Sequence, residues 1–293
     1  MLEQQLVNGL TLGSVYALFA LGFTLVFGVL AVINLSHGAV FMVGAYAALL
    51  VVTRLDAPLW LAAIAAMLAS GVLGLLVDVL VLKPLRARNA PHLIPMIATI
   101  GVTLMLGSAA QGLFGAEVQR FPAGVLPADD FAIGGVHVRL LEVAIVGVSF
   151  LLMALLFAVL RRSQLGRALR AVAESPKAAA LLGIDVEGLF HVTCFAAAAL
   201  GGVAGMLIGL DFNAITPTMG QPILLKGIAA IILGGMGDIR GALIGGLFLG
   251  FAEVLSKGYL ASQMGDAVAF GLLFLILLAR PSGLFGRVLE RKA

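Results

Sequence analysis

Residues 140–160 read LLEVAIVGVSFLLMALLFAVL, and Glu142 is the one charged side chain in this run. An apolar run of about 20 residues is long enough for an α-helix to cross the hydrocarbon core of a bilayer. Backbone groups in hydrocarbon must pair within the protein, so a long apolar run predicts a helix. Residues 140–160 are therefore typical of a transmembrane helix.

Similar runs recur along the whole chain. Segments of about ten residues that alternate in polarity, as in transmembrane strands, are absent from the sequence. We therefore predict an all-α fold, a polytopic transmembrane helical bundle of about 8–10 spans. A broken or re-entrant helix is expected at the short run 223–235. The predicted spans are residues 7–33, 35–53, 59–82, 93–114, 140–160, 190–210, 223–235, 242–255 and 267–279.

The composition supports a membrane location for nearly all of the chain. Apolar residues make up 61% of the 293 residues and charged residues only 11%, and the mean hydropathy is +1.13. Soluble domains are nearer to half apolar and about one quarter charged. Residues 1–293 are therefore expected to form a single membrane domain, and an ATPase module would have to be another chain. The one cysteine, Cys194, lies in an apolar run and is expected to be buried.

The cations predict the orientation of the spans. They cluster in residues 83–88, residues 161–188 and the tail from Arg280, which also contains Arg287, Arg291 and Lys292. Loops rich in Lys and Arg remain in the cytoplasm. An odd number of spans then places the N-terminus outside and the C-terminus in the cytoplasm. The pI near 9.3 follows from these loops, so it does not indicate nucleic acid as a partner.

Residues 161–188 are among the least hydrophobic in the chain and predict a helix-turn-helix on the cytoplasmic face. Leu165, Leu169 and Val172 recur at three- and four-residue steps. Ser175 is the predicted N-cap, with Pro176 at the first helical position. Such a helix either sits in a groove of a partner protein or lies on anionic lipid. The residues alone leave both interpretations open.

Five motifs resemble the branched-chain amino-acid ABC permeases, the LivH/LivM family. The longest is residues 166–185, GRALRAVAESPKAAALLGID, which is similar to the segment that couples these permeases to their ATPases. Two features resemble the LivH-type subunit of the family: the Leu-Ser-His sequence in residues 32–38, and the absence of an N-terminal extension. The other motifs are residues 32–38 (VINLSHG), residues 217–220 (PTMG) followed by Lys226 and Gly227, residues 233–242 (LGGMGDIRGA) and residues 280–286 (RPSGLFG).

The resemblance implies a transmembrane permease subunit of a binding-protein-dependent ABC importer in the bacterial inner membrane, carrying branched-chain or related amino acids. It implies four kinds of partner subunit or surface: a LivM-like second permease, two ABC ATPases, a solute-binding protein and the lipid membrane. The solute-binding protein would touch residues 115–139 and 211–221. ATP and Mg would be bound by the partner subunits, with no cofactor in this chain. The residues implied in ATPase coupling are Arg170, Glu174, Ser175, Pro176, Ala179, Leu182, Gly183 and Ile184.

Polar residues interrupt the chain between the first two runs, at Asn34, Ser36, His37 and Gly38. Polar residues at a helix break are costly in lipid unless they line a cavity or pair internally. One interpretation is a broken helix beside the translocation path. The other is a tight polar turn at the cytoplasmic surface, with His37 capping a helix end.

Glycines recur at four-residue steps and predict close contacts between helices. Small residues on one helix face allow neighbouring helices to approach closely. The contacts are expected either within this chain or at a subunit interface beside the pore. The glycines in question are Gly201 and Gly205 in one run, and Gly237, Gly241 and Gly245 in another.

Catalysis is not indicated by the sequence. A nucleotide-binding P-loop, a nucleophile triad and a cluster of metal ligands are all absent from it. Besides Glu142 near the start of its run, the charges within the runs are Asp78, Lys226 and Glu253, and Asp78 is expected to pair with a nearby cation. Urea, amides and small carboxylic acids remain alternative substrates. An ATP-independent secondary transporter is a further alternative, but it would need a coupling-ion site in this chain.

Overall fold

The computed structural model describes residues 2–91, 93–122, 124, 130–133, 136–260, 264–280 and 283–285. Helices dominate these residues, with one π-helical turn and one short β-hairpin. In chain order the elements are α1 (Leu2–Leu30), α2 (His37–Leu55), α3 (Leu59–Val77), the π-helical turn (Asp78–Leu82), α4 (Lys83–Ala87), α5 (Leu93–Phe114), β1 (Asp130–Ile133), β2 (Val136–Arg139), α6 (Leu140–Arg162), α7 (Gln164–Glu174), α8 (Pro176–Leu181), α9 (Val186–Asp211), α10 (Gly220–Gly234), α11 (Ile239–Tyr259) and α12 (Gly265–Ala279).

Each of the predicted apolar runs forms a helix, which confirms the polytopic helical bundle. Seven helical segments are long and apolar enough to cross a membrane, and they belong to α1, α2, α3 with its extension to Ala87, α5, α6, α9 and α11. Two further apolar helices, α10 and α12, have only 15 residues each. The protein is therefore a multi-pass membrane protein in which α10 is the short helix expected at residues 223–235.

Helix α1 occupies the centre of the bundle. Nearly every side chain from Thr11 to Val26 is buried, and α1 packs against α6, α9, α10 and α11. Helix α9 is enclosed almost as fully, between α1, α2 and α3. Helices α5 and α6 lie at the periphery and expose large apolar side chains such as Leu113 and Leu151. An exterior of this kind is suited to lipid and to partner subunits rather than to water.

Glycines on α9 bring α2 and α3 into backbone contact with it. A Cβ atom at Gly205 would clash with the carbonyl oxygen of Phe41 on α2. A Cβ atom at Gly202 would clash with the Ser70 side chain on α3, and Gly201 lies against the His37 ring. These faces of α9 are therefore filled by helices of the same chain.

Of the glycines in the second run, Gly241 and Gly245 lie on α11 and pack against a neighbouring helix, whereas Gly237 does not. Gly241 and Gly245 pack against α10, where an added Cβ would meet the carbonyl oxygens of Gly234 and Ala230. Gly237 does not share this helix face, contrary to the expectation from its four-residue spacing. It lies in the turn before α11 at φ +86°, a conformation that glycine adopts without strain.

A short hairpin and a bridge organise the end of the bundle that contains the loop between α5 and α6. Strands β1 and β2 pair in antiparallel register, with Phe131 opposite Val138. An isolated bridge joins Gln119 to Ile215, the residue that follows α9 by a few positions. The hairpin was not predicted, because four-residue strands leave little periodic signal in a sequence. The predicted tail cations Arg287, Arg291 and Lys292 lie outside the described residues.

The close contact between α9 and α2 makes a testable prediction. We expect Gly205→Ala to lower the free energy of unfolding by about 1–3 kcal/mol, because the added methyl group meets backbone atoms that cannot rotate away. Unfolding of the detergent-purified protein, followed by its helical circular dichroism, measures this change.

The matched control is Gly147→Ala on α6, where nothing lies within 4 Å of the added Cβ. Alanine is the better helix former by about 1 kcal/mol, so this variant should be at least as stable as the parent protein. Equal losses of stability in the two variants would contradict the packing described here.

Candidate functional site

The segment of residues 161–188 forms two helices joined at Ser175. Helix α7 begins after Ser163, whose hydroxyl accepts a hydrogen bond of 3.0 Å from the Gly166 N–H. Helix α8 begins after Ser175, whose hydroxyl accepts from the Ala178 N–H at 3.3 Å. Gly183 ends the unit at φ +82°. The structure therefore confirms Ser175 as the N-cap of the second helix and Gly183 as the residue that ends it.

One face of this helix pair is anchored to the bundle. Leu169, Val172 and Ala179 are buried in an apolar cluster that also contains Phe190 on α9. The Arg170 guanidinium donates a hydrogen bond to the Leu160 carbonyl at the end of α6. Ile184 is half-buried and packs against the same cluster. Ala179, Arg170 and Ile184 therefore contact this chain's own residues, and their implied role in ATPase coupling stays a prediction.

The other face presents apolar side chains to the surroundings. Leu181 is 90% exposed and Leu182 is 80% exposed, at the end of α8. Glu174, Pro176 and Gly183 are also exposed, and Ser175 is partly so. Leu182 was among the residues predicted for ATPase coupling, and Leu181 was not. The sequence signal available for Leu181 was its position directly before Leu182, at the end of the predicted second helix.

A buried ion cluster lies beside the helix pair α7 and α8. The Asp78 carboxylate, on the π-helical turn, is 0% exposed and accepts a hydrogen bond of 2.6 Å from Arg86 on α4. The His191 Nδ1 atom on α9 lies 2.6 Å from the other carboxylate oxygen. Arg86 also stacks over the Phe190 ring and forms a 3.3 Å salt bridge with Glu187. The expected pairing of Asp78 with a nearby cation is confirmed, and it joins α4 to the first turns of α9.

The polar break between α1 and α2 lies inside the protein. His37, the first residue of α2, is buried against the rings of Phe19 and Phe23 at centroid distances of 4.7 and 5.6 Å. Its ring also lies close to Gly22, which is eight residues, or roughly 12 Å, from the end of α1. A surface turn capped by His37 does not match this depth.

The remaining residues of the break pair with one another or line a cavity. Asn34 Oδ1 accepts hydrogen bonds from the Ser36 N–H at 3.1 Å and from the Ser36 hydroxyl at 2.6 Å. Both side chains are buried, as is His37. Of the four residues placed beside a translocation path from sequence, Gly38 lines a described cavity. The other three face the interior of this chain.

That cavity, of about 110 Å³, lies between α2, α5 and α10. Its floor is formed where the first turns of α2 and α10 meet, because Gly38 and Gly220 are in backbone contact. This cavity was not predicted from the sequence, because its residues come from three separated segments. Its other lining residues are Ala39, Met42, Thr103, Leu104, Gly107, Ser108, Gln111, Pro217, Thr218 and Gln221.

A larger cavity, of about 370 Å³, opens at the end of the bundle opposite α8. Its charges are already paired within the chain. The Arg139 guanidinium lies 2.8 Å from Glu142 and 2.9 Å from Asp211. Burial works to lower the pKa of Arg139, but hydrogen bonds and attraction to Glu142 and Asp211 outweigh it and raise that pKa. Arg139 therefore remains a cation that holds α6 to the end of α9.

The charges embedded in the apolar helices form a second cluster. Lys226 Nζ on α10 lies 2.8 Å from Glu253 on α11 and 2.9 Å from Asp266 on α12. The Tyr16 hydroxyl donates to Glu253 at 2.9 Å, and Lys257 contacts the same carboxylate at 2.6 Å. These charges are satisfied within the chain and join four helices.

The family of branched-chain amino acid transport system permease components matches residues 5–277 of the chain. The chain is 40% identical over 296 residues to the high-affinity branched-chain amino acid transport system permease protein BraD of Pseudomonas aeruginosa. That alignment covers 97% of this chain and 95% of BraD. The chain belongs to this permease family.

Two other relatives are also permease proteins of transport systems. The LivH permease protein of Escherichia coli is 36% identical over 297 residues, covering 97% of this chain and 95% of LivH. The ribose import permease protein RbsC of Escherichia coli is 32% identical over 256 residues, covering 84% of this chain and 75% of RbsC. No solved structure matches the permease. The resemblance recognised in the sequence motifs is thereby confirmed.

Metal-binding geometry is not found in the described part of this permease. Across those residues, no group of three or more His, Cys, Asp or Glu side chains is arranged to hold a metal ion. Cys194 is free and buried, as its apolar surroundings predicted. The polar clusters of the permease are therefore built from ion pairs and hydrogen bonds.

The Asp78 cluster predicts an asymmetry between two substitutions. Asp78→Asn should destabilise the permease by about 3–5 kcal/mol, because it removes the buried charge that pairs with Arg86 and His191. Glu187→Gln should cost less than about 1 kcal/mol, since the Glu187 side chain is 47% exposed. Thermal unfolding of both variants in detergent compares them, and a larger loss for Glu187→Gln would refute this assignment.

Proposed function

We propose that this permease is the LivH-type transmembrane subunit of an ABC importer that moves branched-chain or related amino acids into the cell. The observation that carries the proposal is the 40% identity to BraD, which extends over 97% of the chain. ATP and Mg are bound by separate ATPase subunits, because the sequence contains no P-loop. The chain itself carries no cofactor and catalyses no reaction.

The contact with the ATPases is assigned to the exposed tip of residues 161–188, which we call the coupling segment. Leu181 and Leu182 project from the end of α8, whose Ala179 is buried in the same apolar cluster as Leu169 and Val172 of α7. A rigid helix with apolar side chains suits a groove in a partner protein. Lipid contact is the less favoured alternative, because an interfacial helix carries an extended apolar face, whereas α8 has six residues.

The remaining partners follow from the same assignment. A LivM-like second permease completes the pore, and two ABC ATPases bind on the cytoplasmic side. A solute-binding protein docks at the opposite end, near residues 115–139 and 211–221. From the cation-rich segments we infer a bacterial inner-membrane location, with the coupling segment and the C-terminus on the cytoplasmic side and the N-terminus outside.

Reconstitution tests the transport function directly. The permease is co-expressed with the second permease, the ATPases and the binding protein that are encoded beside it, and the complex is reconstituted in liposomes. We expect uptake of radiolabelled leucine, isoleucine or valine that requires both ATP and the binding protein. Competition with urea, acetamide and short-chain carboxylates separates the alternative substrates.

Two outcomes would contradict the proposal. Uptake driven by a proton or sodium gradient without the ATPases would identify a secondary transporter. Competition by urea or a carboxylate, with none by the three branched-chain amino acids, would leave the architecture intact and change the substrate.

The coupling assignment predicts the effect of charging the tip of α8. The double variant Leu181→Asp and Leu182→Asp should reduce uptake by at least about 10-fold, because two carboxylates cannot enter an apolar groove without a large desolvation cost. The same variant should lose the binding-protein-stimulated ATPase activity. Co-purification of the ATPases with the permease measures whether the contact itself is lost.

Leu55→Asp is the matched control, since Leu55 is 71% exposed at the opposite end of the bundle. This variant should retain uptake and co-purification. Full uptake by the α8 double variant would show that the ATPases bind elsewhere.

A further inference from the structure

We propose that the cavity between α2, α5 and α10 is a section of the amino-acid translocation path. Its hydrogen-bonding groups are the side chains of Ser108, Gln111, Thr218 and Gln221. The inference rests on the proposed transport function and adds to it the residues that contact the moving substrate.

The first observation is the set of polar side chains that have no partner in the chain. Ser108, Gln111, Thr218 and Gln221 are all exposed. Among the hydrogen bonds of the described residues, none involves these four side chains. Thr103 differs, because its hydroxyl already donates to the carbonyl oxygens of Leu35 and Thr99. Four neutral polar groups are thus available to a ligand.

The second observation is the depth of these groups. Ser108 and Gln111 belong to α5, an apolar helix long enough to cross the membrane. Ser108 lies six residues, or roughly 9 Å, before the last residue of α5, and Gln111 lies about one turn nearer to that end. Gln221 is in the first turn of α10, beside the buried start of α2. Polar side chains at such depth face a protein interior or a water-filled cavity, since lipid does not satisfy them.

The third observation is the shape of the wall. The floor of the cavity is the contact between Gly38 and Gly220, where no side chain projects into the space. Met42 and Pro217 add apolar surface beside the polar groups. A branched-chain amino acid combines an ammonium group, a carboxylate and an apolar side chain, and this wall has groups for each. Because the four polar residues are exposed, the cavity opens on the chain surface, and a second permease would close it.

The chemistry of the wall also fits passage rather than tight binding. Neutral hydroxyl and amide groups both donate and accept hydrogen bonds, so they contact either charged end of a zwitterion. Conduction requires contacts that are favourable enough for entry and weak enough for release. The larger cavity at the opposite end from α8 is less suited, because Arg139 is already held by Glu142 and Asp211.

Cysteine accessibility in the complete reconstituted importer tests the position of the path. The background is Cys194→Ala, which removes the one native cysteine. Ser108→Cys places a thiol in the cavity, and Met105→Cys places one on the same helix outside its lining. A membrane-impermeant methanethiosulfonate reagent should modify Ser108→Cys at least about 10-fold faster, because it reacts with the hydrated thiolate.

Saturating leucine should slow the modification of Ser108→Cys and leave that of Met105→Cys unchanged. Equal rates for the two cysteines, in an importer that still takes up leucine, would overturn the path and leave the transport function standing. An importer that takes up none of the branched-chain amino acids in the parent form would instead overturn the proposed function.

Substitution of the amides gives an independent readout. Gln221→Leu or Gln111→Leu should reduce leucine uptake by about 10-fold, the loss expected for hydrogen bonds to a charged ligand. Co-purification of the ATPases should be unchanged in both variants. Gln5→Leu is the control, because Gln5 lines the larger cavity instead. Loss of uptake in Gln5→Leu, with normal uptake in both other variants, would place the path in the larger cavity and refute this proposal.

Discussion

The backbone contact of α9 with α2 and α3 is the constraint on which the rest of the bundle depends. Helices in lipid are not driven together by the hydrophobic effect, so they associate through close packing and hydrogen bonds. Gly202 supplies both, because it lies against Gly44 and leaves room for the Ser70 hydroxyl to donate to the Val40 carbonyl at 3.2 Å. This contact holds the start of α2 inside the bundle. In that position Gly38 is in backbone contact with Gly220, and this contact forms the floor of the cavity beside α5.

Buried charges supply the specificity that apolar surfaces lack. Breaking a buried ion pair by removing one partner costs about 3–5 kcal/mol. Asp78 pairs with Arg86 and His191, so the π-helical turn, α4 and α9 keep one register. Glu253 pairs with Lys226 and Lys257, and Lys226 also reaches Asp266. The Asp78 cluster thus connects α4 with α9, and the Glu253 cluster connects α10, α11 and α12.

The sequence predicted the helices well because each depends on its own residues. Apolar runs in lipid have few alternatives to a helix, and Ser175, Pro176 and Gly183 act within a few residues of their positions. Contacts between distant segments were harder to predict. Four-residue spacing did not distinguish Gly237, which is in a turn, from Gly241, which is in a helix.

The candidate site shows the same limit more strongly. The exposed face of α8 was partly predictable, since its residues are consecutive, but the inward direction of Ala179 depends on its packing against the bundle. The polar break at Asn34 was located correctly as a break between helices. Its burial was not predictable, because it requires the glycine faces of α1 and α9. The cavity residues Ser108 and Gln221 are neutral and isolated in sequence, so no local pattern marked them.

The anchored face of the coupling segment offers a physical route from α8 to the cavity. Leu169, Val172 and Ala179 share one apolar cluster with Leu30 and Val32, which lie on either side of the end of α1. Val32 belongs to the short connection that leads to α2. The Asp78 cluster attaches the first turns of α9 to α4, next to the same surface. If an ATPase moves α8, the displacement acts on closely packed groups that resist continuous deformation. The segment between α1 and α2 would then shift. That shift would change the contact of Gly38 with Gly220, which forms the floor of the proposed path.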